Sequence, residues 1–286
     1  EEFSSPAANG LPPVPKFLPR KELAADLTSP KNFAFARNSV NRFWARLMGR
    51  GIIHPLDQVH PGNAPSHPQL LEKMAGLFIS RDYDLKWLLR SILLSDSYQR
   101  SSRLPGKSAT ASPESYRQAL PRALTPEQLL HSVLRATGNL EKTRGLKADP
   151  AKKFDRKGYF TGTHQELPES YEEIRAVFIQ TFGQPPGEPE TEFAPGLNQS
   201  LFLMNDRLLL SWLQPVDNNL VQRLGAFKTP AKISENLYLE VLTRLPTEAE
   251  TTDLGLYLEK NGERRTAALG ELAWALINST EFRLNH

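Results

Sequence analysis

The chain contains no cysteine. That excludes disulfides, thiolate nucleophiles, zinc–thiolate sites, iron–sulfur clusters and covalently attached c-type haem. No apolar run reaches the ~18–20 residues needed to cross a bilayer, so no transmembrane segment is expected. Charge of one sign is scarce as well. The 35 basic and 32 acidic residues are mixed along the chain and leave a formal net charge of +3. Such a balance carries no electrostatic footprint for nucleic acid, and no nucleic-acid partner is expected. Also missing are a Gly-x-Ser-x-Gly nucleophile elbow, a P-loop and a Gly-x-Gly-x-x-Gly fingerprint. Neither a cofactor nor a metal is expected. The first residue is Glu, and no basic stretch leading into an apolar one follows it. The chain therefore reads as a piece of a longer protein.

What is present is a soluble, helix-forming pattern. With 286 residues, 39% apolar and 23% charged, the chain is long enough to bury a sizeable core and fits a globular protein with extended loops. Residues 1–30 are Pro-rich and read as a linker from an upstream region, with a short helix within Arg20–Leu27. Residues 31–104 form a helical subdomain around a motif loop at 52–68. Its first helix runs from Phe35 to Arg50 with Gly51 after its end, Ser66 is expected to cap the second, and Asp82 or Asp84 the third. Residues 105–166 form a connecting segment with one helix at 125–137, opened by Thr125-Pro126-Glu127-Gln128, and an irregular stretch from Glu141. Residues 167–286 form a C-terminal helical subdomain packed with 31–104 as one domain. It holds a helix broken near Asn205-Asp206 and a capping box at Thr247 and Glu250. No segment alternates strictly, so the fold class is mainly α, an irregular multi-helix bundle with long Pro-rich loops. Any short strands would fall in 150–166.

The motif loop concentrates the chain's polar chemistry. His54, Asp57, His60, Asn63 and His67 lie within fourteen residues. Two or three of these converging with a carboxylate could hold zinc or a harder cation. The spacings match no ligand signature, and His-Pro and Ser-His-Pro are ordinary turn chemistry, so a loop held by side-chain to backbone hydrogen bonds is the preferred reading. Asn41 and Arg42, polar residues on the otherwise apolar first helix, suit the same role, since a buried polar group needs a partner. Arg42 alone makes a weak anion site. The candidate site is thus Asn41, Arg42, Asp57, His60, Asn63 and His67, with no catalytic residue assignable. Glu172-Glu173 and the Glu188, Glu190 and Glu192 group read as solvated surface charge, and Trp44, Trp87, Trp212 and Trp274 as core.

Several stretches together carry a resemblance. Asn41-Arg42-Phe43-Trp44 through Gly51, His54-Pro55, Asn63-x-Pro65-Ser66-His67-Pro68 and Tyr83-Asp84-Leu85-Lys86-Trp87 form its first half. Leu124-Thr125-Pro126-Glu127-Gln128, Phe182-Gly183-Gln184-Pro185-Pro186, Gln199 to Asn205 and Arg244-Leu245-Pro246-Thr247-x-x-Glu250 form its second. Over about residues 20–286 the chain resembles the PSD domain of planctomycetes and related bacteria, a domain of unknown function. The resemblance implies an exported protein, periplasmic or at the cell surface, in which this module follows other domains. It supplies no catalytic residues. Many relatives have a Cys/Arg-rich stretch after the Phe-Gly-x-Pro motif. Here it is the acidic, Cys-free 187–192, which argues against a redox or anion-binding role for it. The expected function is a helical interaction or scaffold module, partnered by another protein or by upstream domains of its own chain. The alternatives are an enzyme or enzyme subunit acting on an extracellular polysaccharide or similar substrate through the 54–67 loop, and a docking surface for an electron-transfer partner.

Overall fold

The computed structural model describes residues 19–102, 111–163, 166–183 and 196–285. Most of the Pro-rich linker, Gln184-Pro185-Pro186 and the acidic 187–192 stretch lie outside the described residues. The fold is mainly α, as expected. Among the described residues no helix is long and apolar enough to cross a membrane. By its contacts the chain divides between Pro121 and Arg122, inside the expected connecting segment, into two compact units.

The first unit holds α1 (Pro19–Leu27), α2 (Phe33–Met48), α3 (Pro68–Ser80), α4 (Leu85–Leu93) and a 3-10 turn at Pro113–Ser115. Asn32 opens α2 by accepting a hydrogen bond from the Phe35 amide at 3.2 Å. Ala36, Val40, Trp44 and Met48 follow at helical spacing and are buried, and they meet Leu71, Ala75 and Phe78 of α3 and Leu88 and Ile92 of α4. The end of α2 differs from the expectation. Gly49, not Gly51, is its left-handed cap, with φ +84°. Asp84 caps α4, accepting from the Trp87 amide at 3.0 Å. Tyr83 before it donates its hydroxyl to the Ser29 carbonyl at 3.2 Å, and its ring edges Phe35 and Phe78.

The second unit holds α5 (Pro126–Ala136), α6 (Leu140–Gly145), α7 (Arg156–Thr161), α8 (Tyr171–Phe182), α9 (Leu197–Asn205), α10 (Arg207–Trp212), α11 (Leu220–Gly225), α12 (Pro230–Leu242), α13 (Glu248–Lys260), α14 (Arg265–Asn278) and α15 (Thr280–Arg283). Capping boxes open α5 at Thr125 and α13 at Thr247, as expected, and a third opens α8 at Ser170. The break near Asn205 is real: Asp206 ends α9 and caps α10. The stretch expected to be irregular from Glu141 instead carries α6 and α7. Each is six residues, too short for a periodic pattern to show, and each is anchored by tertiary burial of Leu140 and Tyr159. Arg122–Ala123 pairs antiparallel with Leu284–Asn285, and none of the described residues of the expected 150–166 stretch is in a strand. The core gathers Leu130, Val133 and Leu134 of α5 with Val177 and Phe178 of α8 and Leu269, Ala273 and Ile277 of α14. The Phe178 ring meets Phe202 edge-on at 5.4 Å and lies parallel to Trp212 at 6.2 Å. Trp212 is in the core, whereas Trp87 and Trp274 are half-buried at core edges.

Candidate functional site

The loop between α2 and α3 is built around one buried amide. Asn41 is fully buried (0% exposed). Its Nδ2 donates to the Ile53 carbonyl at 2.9 Å, and its Oδ1 accepts from the Ile53 amide at 2.8 Å. It presents to Ile53 the donor and acceptor that a neighbouring strand would. This lets Ile52 and Ile53 sink into the core without stranding polar backbone. The close approach also explains Gly51. A Cβ there would sit 2.4 Å from the Ile53 carbonyl oxygen and 3.1 Å from Asn41 Oδ1.

The remaining polar side chains hold the outer part of the loop. Asn63 Nδ2 donates to the Gln58 carbonyl at 2.8 Å and the His54 carbonyl at 3.3 Å. His60 Nδ1 accepts from the Gly62 amide at 3.1 Å, which requires that nitrogen to be unprotonated. Arg42 Nη2 meets Asp57 Oδ1 at 2.7 Å on the surface, both side chains about half exposed. The expected cap at Ser66 is displaced by one residue. His67 occupies the cap position of α3 because Pro68 is its first helical residue, while Ser66 donates its amide (2.8 Å) and hydroxyl (3.2 Å) to the Ile52 carbonyl. His67 Nδ1 lies 3.1 Å from Ser66 Oγ.

Tyr116 is the member that sequence reasoning missed. It reaches back 66 residues to donate its hydroxyl to the Arg50 carbonyl at 3.2 Å. Its ring stands edge-on to Trp44 at 5.2 Å and tilted to His67 at 5.5 Å. Burial pushes its phenol above the usual tyrosine range. The signal that could have found it is slight: Tyr116 is the lone aromatic in the Ser-, Ala- and Pro-rich 101–121 stretch.

The structure therefore joins Asn41 to the loop backbone and pairs Arg42 with Asp57, and it lets His60, Asn63 and His67 each bond locally. No hydrogen bond links Asp57, His60 and His67 to one another, as a general acid–base set requires. Among the described residues no group of three or more His, Asp or Glu side chains is gathered around a metal-sized space.

Two further polar clusters lie in the second unit. Tyr159 donates its hydroxyl to Asp206 Oδ1 at 2.6 Å, while Asp206 also caps α10 through the Leu208 amide at 2.9 Å. Desolvation raises the Asp206 carboxyl and the Tyr159 phenol alike. Arg244 grips two carboxylates, Glu250 at 2.7 and 2.9 Å and Glu281 at 2.6 and 2.9 Å. It also lies over the Tyr238 ring at 5.1 Å. Glu250 in turn accepts from the Thr247 amide at 2.7 Å, so the Arg-Leu-Pro-Thr-x-x-Glu stretch is a charged clamp on the α12–α13 turn. Glu173, expected as solvated charge, closes the α8 capping box.

A mainly α chain whose densest polar loop is fastened to its own backbone belongs among helical modules, and its motifs place it more narrowly. The chain belongs to PSD1, a family of proteins of unknown function (DUF1553), whose model matches residues 19–258. That range takes in the Asn41 loop and the Arg244–Glu250 half of the clamp, while Glu281 lies beyond it. Nothing matches among curated proteins or solved structures.

Proposed function

We propose that this chain is a helical interaction or scaffold module of an exported multi-domain bacterial protein, and that its partner is another protein or upstream domains of the same chain. One observation carries the reading. The loop with the chain's densest His, Asp and Asn content engages those side chains with its own backbone and with a surface ion pair, around the buried Asn41–Ile53 contact. Side chains so engaged stiffen a surface, and no hydrogen bond joins Asp57, His60 and His67 into a reacting set. Placement outside the cytoplasm rests on the family resemblance.

The test is a pull-down of the full-length protein from the native envelope, with cell fractionation alongside. A stoichiometric protein partner in the envelope fraction is expected. Turnover of a polysaccharide by the purified protein, abolished in Asp57→Asn or in a His60→Ala and His67→Ala variant that still folds, would overturn the reading. Recovery of the protein in the cytoplasm would overturn its placement.

A further inference from the structure

Charge is unevenly spread in two places: residues 31–56 hold five basic side chains and no acidic one, and a second basic stretch follows in the other unit. Residues 142–157 carry seven basic side chains and two acidic ones, an excess of five. The remaining residues together are net negative by two, since the whole chain is +3. Three of the seven are already engaged: Lys142 with Asp217, Arg144 with Glu141, and Lys152 with Glu169. Lys147, Lys153, Arg156 and Lys157 are exposed and form no ion pair among the described residues.

The strip is held in place by its surroundings. Leu140 and Thr143 of α6 are buried on one side, and Tyr159 of α7 on the other. Tyr159 is fastened to Asp206, and its ring meets Phe154 at 5.6 Å. Between the helices, Asp149 ties the turn through the Ala151 amide at 2.9 Å. Arg156 and Lys157 occupy the first turn of α7, where the helix dipole disfavours cations, and Asp155 caps that turn by accepting from the Gly158 amide at 2.9 Å. Near the cations in sequence, Leu146 and Phe160 are each 39% exposed.

We propose that the 146–160 strip docks an acidic protein segment with apolar side chains among its carboxylates, the acidic residues meeting Lys147, Lys153, Arg156 and Lys157 and the apolar ones resting on Leu146 and Phe160. This deepens the interaction-module reading, on which it rests, by naming a surface and a partner chemistry. A polyphosphate backbone is the poorer fit. It needs an unbroken positive track, whereas Asp149, Glu166, Glu169 and Glu173 line the shallow depression next to Lys152 and Lys153. A peptide can place its few carboxylates away from that wall.

The experiment uses the purified chain and a labelled twelve-residue Glu-rich peptide containing two Phe, followed by fluorescence anisotropy across a salt series. Binding that weakens steadily with salt is expected. Neutralising all four cations (Lys147→Gln, Lys153→Gln, Arg156→Gln, Lys157→Gln) should weaken it by about tenfold or more, as four exposed pairs are lost, without lowering the melting temperature. A second variant, Leu146→Ser with Phe160→Ser, should also weaken binding but leave the salt slope unchanged. The proposal is overturned by unchanged affinity in the four-cation variant. Equal competition from polygalacturonate or from a single-stranded oligonucleotide of matched charge overturns it too. If the four-cation variant of the full-length protein retains its partner in the envelope pull-down, this surface is wrong while the wider reading stands. If the wild-type protein retains none, the wider reading is what fails.

Discussion

The motif loop of the first unit and the α12–α13 turn of the second hold an irregular backbone by opposite means. The loop uses a neutral amide at zero exposure, Asn41, bonded twice to Ile53. The turn uses Arg244, about a third exposed, gripping Glu250 and Glu281. Removing a partner from a dry site leaves polar groups that nothing else can satisfy, whereas water re-solvates a broken surface pair. The chain's motif loop is therefore predicted to be fragile at one residue and tolerant around it. The charged turn should yield gradually and respond to salt and acid.

The largest expected effect comes from Trp44→Ala. The ring is 4% exposed and packs on Tyr116, so truncation should cost about 3–5 kcal/mol. Denaturant unfolding measures it, and a midpoint that barely moves would reassign Trp44 to a binding surface. Next is Asn41→Leu, which keeps the approximate bulk but strands the Ile53 amide and carbonyl, for about 2–4 kcal/mol. If it costs no more than Arg244→Ala, the contrast between the two regions collapses.

Arg244→Ala should cost about 1–2 kcal/mol and less at high salt. Its sharper signature is in pH. The Arg244 guanidinium, aided by the Thr247 amide, holds the Glu250 carboxyl down at about 2 against an ordinary 4.5. A carboxyl lowered in the folded state binds fewer protons there than in the unfolded chain. Its contribution is thus complete above about pH 4.5 and disappears as pH falls toward 2. In Arg244→Ala, the acid-side loss of stability over that window should be smaller than in the wild type, as followed by thermal melts from pH 5 to 2.

The smallest effects are expected around the rest of the loop. Arg42→Ala should cost less than about 1 kcal/mol, since its bond to Asp57 is solvated. A chelator should leave the melting temperature of the wild type unchanged. A bound metal at a hundredfold excess over its Kd would contribute about 2.7 kcal/mol. A clear drop with chelator that is absent from the His60→Ala, His67→Ala double variant would move the functional reading to a metal site.

Local signals were legible where they act through near neighbours. Thr125 and Thr247 accept from amides three residues on, and Asp206 interrupts α9 from α10, all readable in short windows, whereas the sequence leaves the cap of α4 open between Asp82 and Asp84. Where two neighbours compete for one role, the sequence was less decisive. Gly49 and Gly51 are two residues apart, and only the αL backbone at the first and the tight approach of Ile53 at the second separate a helix cap from a packing glycine. Ser66 and His67 exchanged roles for a similar reason, once the Ile52 carbonyl claimed Ser66.

By itself the sequence determined the helical class, the positions of the strong caps and the absence of thiol chemistry, because each follows from residue type and spacing along a few turns. It also marked Asn41, Arg42, Asp57, His60, Asn63 and His67 as a set. Only the tertiary structure decided that Asn41 meets Ile53, that Tyr116 closes the loop from beyond α4, and that Glu281 shares Arg244 with Glu250. It also decided that α6, α7 and α11 are helices at all. The cause is common to all four. Six-residue helices and partners 12 to 66 residues apart are stabilised by burial and by hydrogen bonds that exist only once the chain is packed, so no local pattern records them.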